Sequence, residues 1–298
     1  MKKVAPTPAF SERSKTSGTQ SIERAARILR EIASYSVHGL RLVDLSKQLG
    51  IERPTVHRML NCLIREGLVM QHATSRRYLL GYGLFELGLT AASHFKLWQL
   101  CEPSLKRLAD ETGGIAFMTI RSGADAISVA RAEGRNAINI PSLEIGVHRP
   151  LGVGAGSLAL LMSLPDDEIE RIVCANARRL FGYGKLSVPL MLEIVRASQE
   201  VGYAVHDSRL IEGVSGVGIV VHDSHGAPLG AISITALEEH LPVSRQIEFL
   251  ALLRKESRKI QNLVHQSNFD MAQYAHLLAE GELYSTRALE VESTIAHR

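Results

Sequence analysis

The chain has 298 residues, 45% hydrophobic and 22% charged, enough apolar material for about two cores without covalent staples. No apolar run approaches the roughly 18–20 residues that cross a bilayer, and no signal-peptide core follows the opening lysines, so a cytoplasmic protein is expected. Cys62, Cys101 and Cys174 are too few and too scattered for a disulfide framework or a zinc pair, and neither metal nor cofactor is expected. The net charge of +3 conceals an asymmetry: residues 1–20 carry +3, residues 21–81 carry +5 and the remaining 217 carry −5. A basic head on an acidic body suggests a polyanion-binding module attached to something else.

Residues 1–20, rich in Ser, Thr, Pro and Lys, read as a disordered tail. From Ser21, a plausible N-cap, Ile22, Ala25, Ala26, Leu29, Ile32 and Ala33 recur at helical steps until Gly39 breaks the pattern. "LVDLSKQLGI" is a shorter helix with Leu42, Leu45 and Leu49 on one face and Gly50 as its C-terminal cap. In the next segment Pro54 suits the first turn of a helix. Val56, Met59, Leu60 and Leu63 then form an inward stripe, and His57, Asn61 and Arg65 step along the other side with Arg58 beside them. "LVMQHATSRRYLLG" gives two short strands, Leu68 to Gln71 and Tyr78 to Leu80, around a basic turn. Helix, short helix, turn, helix and basic hairpin is the order of a winged helix-turn-helix. Twelve residues of the third helix span about 18 Å, enough to enter a major groove about 12 Å wide.

A helical stretch follows to Gly113, interrupted at Pro103, whose first part (residues 84–100) reads as a linker helix or dimer seam. "IAFMTIRSG", "AISVARAEG" and "NAINIPS" read as strands, and "GSLALLMSLP", "PDDEIERIVCANARRL" and "LMLEIVRASQEVGY" as helices. "GVSGVGIVVHDSHGAPLGAISITA" is a hairpin turning at Asp223 to Gly226, and "SRQIEFLALLRKESRKIQNLVHQ" a closing helix. Mixed strands and helices make this part α+β. Residues 268–298 form a C-terminal extension with weak helical periodicity and no evident job.

The segments "LVDLSKQLGIERPTVHRMLNCLIREGLV", "YLLGYGLFELG", "HRPLGVGAGSLALL", "VGYAVHDSRLIEGVSGVGIVV" and "GAPLGAISITA" together resemble the IclR family of bacterial transcription regulators over roughly residues 21–265. The resemblance implies a winged-helix domain (21–83), the linker helix (84–100) and a GAF-like antiparallel-sheet effector domain (101–267). It also implies a homodimer or tetramer that answers to a small metabolite. The chain departs from the family pattern in several places. It has Pro54-Thr55 where many members read Ser-Thr, Ser157-Leu158 where many read Gly-Lys, His206-Asp207 where an Asp pair is usual, and Gly216 where Cys is frequent.

Candidate DNA contacts are Arg53, Thr55, His57, Arg58 and Asn61 on the recognition helix and Ser75, Arg76 and Arg77 on the wing. Arg58 and Asn61 suit paired bonds to guanine and adenine, while Thr55 and the wing arginines suit phosphates. A solvated polar helix face is the competing explanation.

In the second domain the "GVGAG" glycines lack the spacing of a phosphate loop and read instead as a turn where backbone approaches a ligand. "HDSH" at 222–225 falls on a turn, where Asp and Ser are expected without a metal. Ser233 and Thr235 share one strand face, which periodicity alone leaves open between water and a ligand. The resemblance implies an effector site from the Ala155 and Gly156 amides, His206, Gly216, Ser233 and Thr235. A small organic acid, an aromatic one among the options, is the expected ligand.

The expected function is thus a ligand-responsive transcription regulator on a palindromic DNA operator. No paired carboxylates, metal cluster or nucleophile-base arrangement suggests an enzyme. The rival reading is a small-molecule sensor acting through protein contacts rather than DNA.

Overall fold

The computed structural model of the protein describes residues 19–35, 39–92, 97–138, 144–184, 186–207, 212–223 and 226–267. The tail up to residue 18, the extension 268–298 and the turn residues Ser224 and His225 lie outside the described residues. Contacts group the chain into two units, 1–86 and 87–298.

In the first unit α1 (Gln20–Ser34) precedes α2 (Leu42–Leu49) and α3 (Arg53–Arg65). The strands β1 (Val69–Gln71) and β2 (Tyr78–Leu80) pair antiparallel, with Met70 opposite Leu79. Their core joins Ile28, Ile32, Leu45, Leu49, Val56, Leu60, Leu63, Val69 and Tyr78. The apolar stripes read from the sequence therefore meet, with two adjustments. Helix α1 starts at Gln20 with Thr19, not Ser21, at its N-cap. Ile22, assigned to the inward stripe, is 71% exposed because the core begins a turn later, around Ile28. The wing also has a neighbour not anticipated: Leu40 and Tyr78 exchange N–H to carbonyl bonds of 3.0 and 2.7 Å. Helix α4 (Tyr82–Ala92) follows and has no buried residue.

The second unit is built on a six-stranded antiparallel sheet in the order β5-β4-β3-β8-β7-β6. Its strands are β3 (Ile115–Ser122), β4 (Asp125–Glu133), β5 (His148–Pro150), β6 (Ala204–His206), β7 (Val214–His222) and β8 (Pro228–Leu237). One face is covered by α5 (Leu97–Thr112) and α10 (Gln246–Gln266), burying Leu105, Leu108, Met118, Val217, Ile232, Ile234, Phe249 and Leu253. The other face is covered by α6 (Ala155–Met162), with α7 (Asp166–Ala175), α8 (Ala177–Leu180) and α9 (Val188–Val201) completing its core.

Three expectations need correction. Helix α5 runs through Pro103 without a break. That proline removes one hydrogen bond in the second turn, and the packed Leu105, Leu108 and Ala109 hold the rest of the helix. "PDDEIERIVCANARRL" is two helices, α7 ending at Ala175 and α8 starting at Ala177, and Asn176 between them donates its side-chain amide to the Ala124 carbonyl at 2.7 Å. In "NAINIPS", residues 136–138 are not strand, since the Asn136 N–H turns back to the Gly113 carbonyl at 2.8 Å, and the remaining residues 139–142 lie outside the described ones.

Helices α5 and α10 are tied through the buried carboxylate of Glu256. Glu256 takes hydrogen bonds from Arg107 Nε at 3.0 Å, Arg107 Nη2 at 2.8 Å and Lys259 Nζ at 2.7 Å. Burial alone pushes the Glu256 carboxyl up, but the bonds from Arg107, Lys259 and Ser104 outweigh it and hold the group below its ordinary 4.5. A depressed carboxyl stabilises the fold above its unfolded pKa and loses that contribution as pH falls through its folded one. Glu256→Gln is therefore expected to cost about 1–3 kcal/mol at neutral pH. The gap to the wild type should close below about pH 4.5, as urea melts of both proteins across pH would show.

Candidate functional sites

The first site is the outer side of α3. Burial of Val56, Leu60 and Leu63 fixes the roll of the helix, and this leaves Arg53, His57, Arg58, Asn61 and Arg65 exposed while Thr55 is half-buried. The Thr55 N–H is used by the helix start, bonding to the Glu52 carbonyl at 3.0 Å. The exposed set combines charge with groups able to read base edges.

The wing turn is held from within. His72 N–H bonds to the Arg77 carbonyl at 2.8 Å, Arg76 N–H to the His72 carbonyl at 3.0 Å, and Ser75 N–H to His72 Nδ1 at 3.2 Å. Ser75 and Arg76 are exposed on this turn. Arg76 adopts φ 57°, the left-handed region, which costs an ordinary residue about 1–2 kcal/mol. A glycine would avoid that cost, so the arginine is kept there against local preference. Arg77 is half-buried at the base of the turn, and its Nη1 donates to the Gly39 carbonyl at 2.8 Å. Part of its guanidinium is thus occupied in joining the wing to the Gly39 segment.

The second site lies under α6. Three glycines let this helix sit close on the sheet. A Cβ on Gly218 would meet the Ala155 carbonyl oxygen at 2.6 Å, and one on Gly156 would meet Thr119 Oγ1 at 2.9 Å and Ser233 Oγ at 3.1 Å. A Cβ on Gly216 would meet Ala155 Cβ at 3.1 Å and Thr235 Oγ1 at 3.4 Å. His206 on β6 pairs with Gly216, which pairs in turn with Thr235. The structure therefore gathers Ala155, Gly156, Gly216, Ser233 and Thr235 in one place, with His206 one strand away. His206 is 5% exposed. Its Nδ1 lies 3.0 Å from the Asp207 carbonyl. Because a carbonyl only accepts, Nδ1 carries the proton of that bond.

Sequence reasoning missed the continuation of this polar track. Thr119, 2% exposed, pairs with Ser128, whose hydroxyl accepts from Arg149 Nη2 at 2.8 Å. Arg149 is 3% exposed, and burial pulls its guanidinium down to about 10 while Tyr183 pushes the other way. Nothing in "HRP" signals that its arginine is buried, and Thr119 becomes a site residue only through strand register. Two other features carry no site. Cys101 is buried, which pushes its thiol up to about 12, while Cys62 and Cys174 are free and exposed. Among the described residues no group of His, Cys, Asp and Glu could hold a metal ion, and no helix is long and apolar enough to cross a membrane.

Both units have counterparts among known proteins. Residues 21–73 match the IclR helix-turn-helix domain, and residues 89–262 match the family described as bacterial transcriptional regulator IclR C-terminal. The chain is 24% identical over 256 residues to the transcriptional repressor IclR of Escherichia coli (strain K12), covering 85% of this chain and 93% of that protein. It is 25% identical over 254 residues to the HTH-type transcriptional repressor AllR of Salmonella paratyphi A, with the same coverage of 85% and 93%. Among solved structures, an IclR family transcriptional regulator from Brucella abortus superposes with a TM-score of 0.68 at 20% identity, covering 87% of this chain and 99% of that one. An IclR homolog from Microbacterium hydrocarbonoxydans, crystallised with 4-hydroxybenzoate, superposes with a TM-score of 0.62 at 16% identity, covering 83% and 100%. These likenesses extend across both units.

Proposed function

Because the chain belongs to the IclR family of bacterial transcriptional regulators, we propose that it binds operator DNA as a homodimer or dimer of dimers and that a small organic acid held beneath α6 sets its affinity. The observation that carries the DNA side is the division of α3 into a buried apolar stripe and an exposed face of Arg53, His57, Arg58 and Asn61. Arg58 and Asn61 read bases. Thr55, Ser75, Arg76 and the free part of Arg77 hold phosphates. Residues 21–83 form this head and 84–100 the link to the effector domain, 101–267.

Self-association is supported by α4, where Tyr82, Phe85, Leu87 and Leu89 are all exposed. An apolar helix with no buried residue calls for a partner surface. Two copies would set two recognition helices on half-sites about 34 Å apart or a multiple of that. The effector reading is supported by the buried polar face of His206, Ser233, Thr235 and Thr119 and by the start of α6. Its N-cap, Gly154, has no side chain to satisfy the first amides, which suits a carboxylate oxygen. The 4-hydroxybenzoate bound by the Microbacterium homolog makes aromatic hydroxy-acids the first class to try. The work is binding rather than catalysis, and the place of action is the cytoplasm.

The test uses the full chain and the duplex upstream of its own gene. Affinity should fall steeply with salt, as several phosphate contacts require. 4-Hydroxybenzoate and short hydroxy- and keto-acids are titrated while melting temperature and duplex affinity are followed. At least one should shift both, and Gly156→Val, which fills the space beside Thr119 and Ser233, should lose the response while still binding DNA. If no acid moves either quantity, or if the variant responds like the wild type, the effector reading is wrong.

A further inference from the structure

Glu52 is the residue at the reading end of α3 to which nothing above gives a role. It sits immediately before the helix, is exposed, and its backbone carbonyl accepts from the Thr55 and Val56 N–H groups at 3.0 Å each. Its side chain does not cap the helix, and it makes no hydrogen bond or ion pair among the described residues. Arg53 is adjacent, and Arg58 follows about one and a half turns on. Glu66, the other acid of this segment, follows Arg65 at the far end of the helix, about 21 Å along the axis.

A carboxylate only accepts hydrogen bonds, so the phosphate backbone repels it and offers no donor. In the major groove the donors are the amino groups of cytosine N4 and adenine N6, while guanine O6 and N7 and thymine O4 are acceptors. The adenine donor lies beside the N7 acceptor, whereas the cytosine donor has no acceptor next to it on the same base, which makes cytosine the better match. Recognition helices present their N-terminal residues to base edges, and the positive end of the helix dipole favours an anion at that position.

We propose that Glu52 is a specificity-determining residue that accepts a hydrogen bond from a cytosine amino group in the operator and disfavours guanine and thymine there. This rests on α3 being the helix that enters the groove.

Full-length wild type, Glu52→Gln and Glu52→Ala are each carried through selection from a randomised duplex library. Affinities are then measured on the wild-type motif, on its single-base variants and on random duplex. The wild-type motif should hold a cytosine whose preference drops about tenfold or more in both variants. Glu52→Gln should shift that position toward adenine, whose N6 and N7 suit an amide, and other positions should stay as they were. Both variants should also bind random duplex more tightly, because a negative charge near phosphate is gone. If both select the wild-type motif unchanged, even with tighter binding, the carboxylate merely repels phosphate and the proposal falls alone. If the wild type selects no motif, the groove reading falls with it.

Discussion

Alanine at both Arg58 and Asn61 is expected to abolish sequence-selective DNA binding while leaving the fold intact. Each side chain can make a paired contact to one base, and a good paired contact discriminates by about 1–3 kcal/mol. Losing both removes about 2–6 kcal/mol, roughly 30- to 2 × 10⁴-fold in the ratio of operator to random duplex, provided the two act on separate bases. Both positions are exposed, so the melting temperature should barely move. Fluorescence anisotropy on operator and random duplexes separates this from a general weakening. Arg76→Ala supplies the contrast, since losing a phosphate contact lowers both affinities together and reduces the salt slope by about one. An unchanged operator preference in the double variant would show that α3 reads DNA with another face, or does not read it.

Gly81→Ala is expected to unfold the first unit at temperatures the wild type tolerates. A Cβ at residue 81 would lie 2.1 Å from the Gly67 carbonyl oxygen and 2.8 Å from the carbonyl carbons of Gly67 and Leu68. All three atoms are backbone, so no side chain can rotate out of the way. The same contact carries two hydrogen bonds, from Gly81 N–H to the Leu68 carbonyl at 2.9 Å and from Gly83 N–H to the Gly67 carbonyl at 3.0 Å. Admitting a methyl group separates the chain after β2 from the end of α3 and breaks both. A cost of about 3 kcal/mol or more follows from overpacking together with the lost bonds. Amide exchange should quicken in β1, β2 and the end of α3 while the β3 and β8 amides keep their protection. Wild-type exchange rates in the variant would mean that the junction relaxes without cost.

The helical half of the molecule was more legible in the sequence than the sheet half. Along α3, spacing alone separates Val56, Leu60 and Leu63 from His57, Arg58 and Asn61, because a helix face is a local property. A strand face depends on partners far away in the chain. The register between β3 and β4 shifts at Met118/Thr119, so Phe117 pairs with Arg131 while Thr119 pairs with Ser128. That bulge exchanges the faces of β4 midway, which no alternation rule predicts, and it helps place Ser128 beside Thr119. The edge strands β5 and β6 have three residues each, too few for a periodic signal. At the break between α7 and α8 the Asn176 side chain reaches a carbonyl 52 positions away, that of Ala124.

Those two short edges have a consequence for solubility. An open sheet normally exposes a row of unpaired amides and carbonyls at each margin, onto which another chain can add as a further strand. Here each edge strand is about 10 Å long, and Pro150 removes a donor from one of them. A strand this short is a poor template for fibre growth, so a change that extended β5 or β6 would be the one to watch for aggregation.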